Sequence, residues 1–191
     1  MIVKRLFAFI SPFPKTLEEV AKVNLLQNQD PKAVASIWNE YHAVRPNCTS
    51  MVLANLYYTH FSIRALKHPL FIFPIRRRGN IFFLTARYVD KLGLFYYLPD
   101  YEAQHENATA SFGLSFYDEL TISKEIILIR GDINDRLISK TEADVIMSAY
   151  LAHYLEDELY EKYIVTFNDK ADQFDHGKFL ESYFARFVPR Y

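Results

Sequence analysis

Three things are scarce in this 191-residue chain: cysteine, glycine and net charge. A single cysteine, Cys48, excludes an internal disulfide and points to a reducing compartment. The five glycines (Gly79, Gly93, Gly113, Gly131 and Gly177) stand alone. No phosphate-cradling loop or dinucleotide fingerprint can be built from isolated glycines, and no G-x-S-x-G nucleophile elbow is present. Lys and Arg number 22 against 23 Asp and Glu, a net charge of −1. That balance withholds any general attraction to nucleic acid or anionic lipid. No apolar run is long enough to span a bilayer as a helix. Acidic residues are missing from the start of the chain, the first being Glu18.

What the chain has in excess is aromatic surface, with 14 Tyr and 16 Phe. Part of this must pack a core, and the rest is expected on a surface that meets another protein. A chain of this length suits one domain, burying about 70% of its unfolded surface. The opening stretch, M-I-V-K-R-L-F-A-F-I-S, is basic, apolar and acid-free, like a short mitochondrial presequence. An ordinary N-terminal segment packed on the domain fits it equally. The expected division is therefore 1–15 as a presequence-like segment and 16–191 as a single domain.

Helix signals come first. Thr16 and Glu19 form a capping-box pattern, with Leu17, Val20, Ala21 and Leu25 on one face. Asp30-Pro31 opens a second helix, in which Val34, Ile37, Trp38 and Tyr41 recur at helical spacing. A third helix is expected from Ser50 to Lys67, with Leu53, Leu56, Tyr57, His60 and Ile63 along one side. Pro69 stops it. Leu70–Arg77 and Ile81–Tyr88 then read as a hairpin around Arg78-Gly79-Asn80. Pro74 cannot donate to a ladder, which predicts an edge or bulged strand. Three further strands are expected at Leu92–Leu98, Ala110–Tyr117 and Glu125–Arg130. Ser139 with Glu142 starts the next helix, through Val145, Ile146, Ala149 and His153. A last helix follows Asp175, with Phe179, Leu180, Tyr183, Phe184 and Phe187 together. Segregated strands and helices predict an α+β fold. Its antiparallel sheet has about five strands, with three helices before it and two or three after.

Catalytic apparatus is not visible. Cys48 has no evident base beside it. His153 and Glu156 share a helix face but lack a third ligand, so a polar pair is the better reading. Asp132 and Asp135 in G-D-I-N-D-R lack calcium-loop spacing and suit a turn. Arg76, Arg77 and Arg78 read as a solvated hairpin tip. Residue chemistry alone therefore favours binding over catalysis, with no cofactor, no metal and no catalytic residue.

Several motifs, in order, resemble one family. They are W-N-E-Y-H (Trp38–His42), H-P-L-F-I-F-P-I-R-R with Pro69, Phe71, Pro74 and Arg77, and Y-E-A-Q-H-E-N-A with Tyr101, His105 and Ala108. F-Y-D-E-L, K-E-I-I-L-I-R-G-D-I, L-I-S-K-T-E-A and Y-I-V-T-F-N-D-K-A-D-Q-F follow. Together they resemble the mitochondrial ATP synthase assembly factors that chaperone the β subunit of the F1 catalytic head, over about Leu17 to Phe184. The resemblance implies a mitochondrial matrix protein that binds free β subunit and shields its α-facing surface until α replaces the chaperone. It implies no ATP hydrolysis, no nucleic-acid partner and no transmembrane segment. The family-like part begins by residue 17, whereas members carry a long presequence. That departure keeps open an alternative: a permanent accessory subunit, descended from the chaperone, of mitochondrial ATP synthase or of a respiratory complex, and so a partner that is a larger inner-membrane complex. Partner contact is expected from the polar family matches Arg77, His105, Glu119 and Asp132. Trp38, Phe71, Pro74 and Tyr117 also match, and serve either contact or core.

Overall fold

The structure, a computed structural model, describes residues 15–188; the presequence-like expectation for 1–15 falls, save for Lys15, outside them. Two short helices, α1 (Leu17–Val20) and α2 (Val23–Gln27), lead into α3 (Pro31–Ala43). Thr16 and Glu19 form the expected capping box on α1. Asp30 accepts from the Lys32 and Ala33 N–H groups to cap α3, satisfying donors that a helix start leaves orphaned.

Strand β1 (Cys48–Ala54) follows and runs directly into α4 (Asn55–Lys67). This corrects the expected helix from Ser50. Thr49 and Val52 are β-branched and disfavour helix, and β6 offers the stretch a complete antiparallel ladder from Cys48↔Asp132 to Ala54↔Ile126. Such a partner lies too far along the chain for local pattern to reveal.

The other strands are β2 (Leu70–Arg77), β3 (Asn80–Val89), β4 (Leu92–Tyr97), β5 (Ala110–Tyr117) and β6 (Ile126–Ile133). They form one six-stranded antiparallel sheet in the order β1-β6-β5-β4-β3-β2. The α+β expectation holds, with one strand more than foreseen. Two-residue turns join β2 to β3 and β3 to β4. Positive φ at Arg78 (48°) and Gly79 (82°), and at Asp90 (46°) and Lys91 (62°), gives both hairpins the left-handed turn that matches strand twist. Pro74 lies on an outermost strand, paired with Phe83, as a residue without an N–H requires.

Helix α5 (Leu98–Gln104) links β4 to β5, and α6 (Thr121–Lys124) links β5 to β6. Next come α7 (Lys140–Leu155) and a helical run, α8, made of Asp157–Leu159, the π-helical Tyr160–Val165 and Thr166–Asp169. Helix α9 (His176–Phe187) ends the described chain. The Ser139–Glu142 capping box and the Asp175 cap are both present.

The sheet is covered on both faces. On one lies the main core, where Phe71, Phe73, Phe95, Phe112 and Phe116 meet Phe61 of α4, Tyr150 and Tyr154 of α7 and Phe179 of α9. On the other, α1–α3 cover β1, β6 and β5 with Leu17, Val34, Trp38, Tyr117, Leu120 and Leu128. The aromatic excess is thus mostly interior. Among the described residues, Tyr41 and Tyr57 are the aromatics that stand well exposed, at 44% and 58%. Helix α4 buries Tyr58, Phe61 and Ala65, not the side expected from sequence; Leu56, Tyr57 and Ile63 face out. With apolar residues on both sides of the helix, spacing alone could not choose between them.

Candidate protein-binding surface

Helix α3 carries two apolar stripes. Val34, Trp38 and His42 point down onto the sheet and are buried. Ile37, Tyr41 and Val44, at i, i+4 and i+7, share a second flank and are 46%, 44% and 80% exposed. Across from that flank lie Val20 and Ala21 and, in α2, Leu25 (56% exposed) and Leu26. Between them runs an open groove of about 670 Å³, floored by Trp38 and edged by Glu18, Glu19 and Lys22. Exposed leucine, isoleucine and tyrosine around one concavity are what a protein-recognition site needs: an apolar centre with a polar rim. The Arg45 guanidinium lies 3.4 Å over the Tyr41 ring, which holds that ring at the end of the groove.

Beneath α3 the floor is fixed by polar contacts. Trp38 Nε1–H donates to the Ile129 carbonyl of β6 (3.0 Å), tying the helix to the sheet. His42 Nδ1–H donates to the Trp38 carbonyl (2.7 Å), and burial holds the imidazole below its usual pKa, in the neutral form. Tyr117 sets its ring edge against Trp38 at 6.0 Å and donates its hydroxyl to the Lys15 carbonyl (3.0 Å). Its phenol is pushed up to about 12 by burial. Arg130 grips Asp132 Oδ1 through Nε (3.0 Å) and Nη2 (2.7 Å). The pair is nearly buried, side chains 9% and 10% exposed. Breaking such a pair one partner at a time strands a charge in the interior.

The eight expected contact residues fall in different places. Trp38, Tyr117 and Asp132 sit together under α3. Phe71 and Pro74 are buried in β2, Phe71 among Phe73, Phe167, Phe174 and Phe179. Arg77, at the end of that strand, bonds Glu142 through Nε (2.6 Å) and Nη2 (2.9 Å) and the Leu137 carbonyl (2.7 Å). The two groups are well separated on the sheet: β6, which carries Asp132, and β5, which carries Tyr117, stand four and three strand spacings from β2, roughly 19 and 14 Å. His105 is exposed just past α5 at φ 50°, its ring edge-on to Tyr101. Glu119 is exposed just past β5. For the groove residues Leu25, Ile37 and Tyr41 the sequence shows only a shared helix face, without the direction in which it points. The available signal was the width of the α3 apolar face, broader than a single core stripe.

Chemistry of other kinds has little to work with. His153 is buried among Phe71, Phe73, Phe179 and Phe187, and Glu156 pairs with Arg186 (2.5 Å), so the two do not form a metal face. Cys48 is fully buried and burial pushes its thiol up, the opposite of an activated nucleophile. Among the described residues no cluster of three potential metal ligands exists, and no helix is long and apolar enough to cross a membrane.

A family model described as ATP11 protein matches residues 10–180. The chain belongs to the ATP11 family. The ordered motifs along the sequence therefore reflect real kinship. ATP synthase mitochondrial F1 complex assembly factor 1 of Danio rerio is 20% identical over 163 residues, covering 85% of this chain and 54% of that protein. This ATP11-family chain thus spans about half the length of the curated relative it matches.

Proposed function

We propose that this protein is an assembly factor for the F1 head of mitochondrial ATP synthase, and that it works by binding a free β subunit in the matrix. Membership of the ATP11 family and the name of the zebrafish relative support the process. The exposed groove of α1–α3 is the observation that carries the mechanism. A subunit awaiting its neighbours exposes the apolar surface that assembly will bury, and that surface aggregates if left bare. A cover for it needs apolar anchors that stay solvent-exposed in the free chaperone, and the groove residues Leu25, Ile37 and Tyr41 meet that condition. The cover must also bind less tightly than the final partner, so that exchange goes forward. The protein acts by binding and release, without hydrolysing nucleotide.

In this reading Trp38, Tyr117 and Asp132 serve the contact indirectly, by seating α3 so that its second stripe faces the groove. His105 and Glu119 are the exposed polar residues that extend the contact beyond it.

Fractionation of mitochondria expressing the tagged protein tests the proposal. Free β subunit should co-purify with it, and assembled ATP synthase should not. Stoichiometric recovery with the intact complex through detergent and salt would replace the assembly factor with a permanent accessory subunit.

A further inference from the structure

The two edges of the sheet are built differently. In β2 the Tyr88 N–H donates to the Pro69 carbonyl (2.9 Å). With the observed register this turns the backbone groups of Leu70, Ile72, Pro74 and Arg76 outward. Pro74 has no N–H there, Asn168 Nδ2 donates to the Leu70 carbonyl (2.7 Å), and Arg76 adds a charge. That edge is closed by the devices proteins use against unwanted pairing. In β1 the Ile133 N–H donates to the Asn47 carbonyl (2.9 Å) and the Asn55 N–H to the Glu125 carbonyl (2.7 Å). Thr49, Met51 and Leu53 therefore pair with β6, while Cys48, Ser50, Val52 and Ala54 turn outward. Lys140 Nζ takes the Cys48 carbonyl (2.6 Å). Among the described residues, no other backbone segment is recorded bonding Ser50 or Val52 on that side. The strand, C-T-S-M-V-L-A, has no charge and no proline, and Ser50 to Leu53 are partly exposed.

We propose that this edge is a self-association surface, where β1 pairs antiparallel with β1 of a second copy about a two-fold axis through Met51. A two-fold interface must be self-complementary, and this one is. Ser50 of each copy falls opposite Val52 of the other, in hydrogen-bonding register, and Met51 meets Met51. No charge on the strand opposes a like charge. Ser50 Oγ–H donates to Asn39 Oδ1 (3.0 Å), which places the Asn39 flank of α3 above the edge. One turn either way on that flank are Ala35 and Ala43, small enough for the α3 helices of two copies to lie side by side at the usual 8–10 Å between axes. The product is one continuous sheet through both copies.

Three measurements on the full chain decide it. Light scattering at tens of micromolar should give the mass of a dimer. Val52→Pro removes an outward N–H, as Pro74 does in β2, along with part of a side chain packed on the α1–α3 layer, and should halve that mass with an unchanged circular dichroism spectrum. Met51→Cys should cross-link to a covalent dimer under mild oxidation, because directly opposed residues of a non-hydrogen-bonded pair have Cα atoms about 4.5 Å apart, within disulfide reach. The native chain, whose one thiol is fully buried, should not cross-link. A monomeric native protein overturns the proposal. So does a dimer that Val52→Pro leaves intact, or a Met51→Cys chain that stays uncross-linked; if Val52→Pro fails to fold, the cross-link alone decides.

Discussion

His153 sits where a positive charge is most costly, in the middle of the aromatic core beside Phe71, Phe179 and Phe187. By spacing it shares a helix face with Glu156, yet it lies in the aromatic core at 1% exposure and donates Nδ1–H to the Ala149 carbonyl (2.7 Å). Burial pushes its imidazole down to about 4 from its usual value of 6.5. A histidine with a lowered folded-state pKa binds fewer protons in the folded than in the unfolded chain below 6.5. Its stabilising effect is therefore complete above that pH and lost as pH falls towards 4. His42, lowered by burial as well, adds in the same direction. The protein should lose stability between pH 7 and pH 5, above the range where its carboxylates titrate. In His153→Phe that loss should be smaller by about 2 kcal/mol, measured by urea unfolding at both pH values. An identical pH dependence in the variant would contradict the burial of a neutral imidazole.

Among the elements, β6 and β1 carry the most information, because they join the main core to the α1–α3 layer. Gly131 sits where β6 runs between β1 and β5, opposite Thr49 on one side and Leu114 on the other. A Cβ there would come within 2.5 Å of Thr49 Cγ2 and 2.6 Å of the Phe112 ring. Gly131→Ala should therefore cost towards the upper end of the ~1–3 kcal/mol typical of overpacking, read as a lower midpoint in denaturant. A neutral result would mean that β1 and β5 do not approach β6 as described. The sequence made some of this visible. Capping boxes at Thr16 and Ser139, Pro31 in the first turn of α3 and Pro74 on an edge strand are local chemistry, and each stands where it was expected. Strand β1 was hidden because its pairing is non-local and because Leu53, Leu56 and Tyr57 mimic a helical stripe. The groove was hidden for a related reason. Whether Ile37 and Tyr41 point to core or to solvent depends on where α1 and α2 end up, which periodicity within α3 does not encode.

At the scale of the whole molecule, the sheet is a scaffold with a helical layer on each face. The main layer, α4 and α7–α9, consumes the aromatic residues. The thinner layer, α1–α3, is left with apolar side chains that the fold does not use: Leu25, Ile37, Tyr41 and Val44. Keeping them exposed carries an aggregation risk, which binding of the proposed partner would offset. The central claim is that the groove between α1–α2 and α3 holds the β subunit of the F1 head. The most direct test is to mix purified β subunit with the native protein and with an Ile37→Asp, Tyr41→Asp variant, and to measure binding together with light scattered by aggregating β. Both positions are about half exposed, so the variant should melt close to the native protein. The account predicts that native protein binds β and suppresses its aggregation, while the variant binds at least tenfold more weakly, a change of about 1.4 kcal/mol or more. Equal binding by a folded variant, or no binding of β by the native protein, would contradict it.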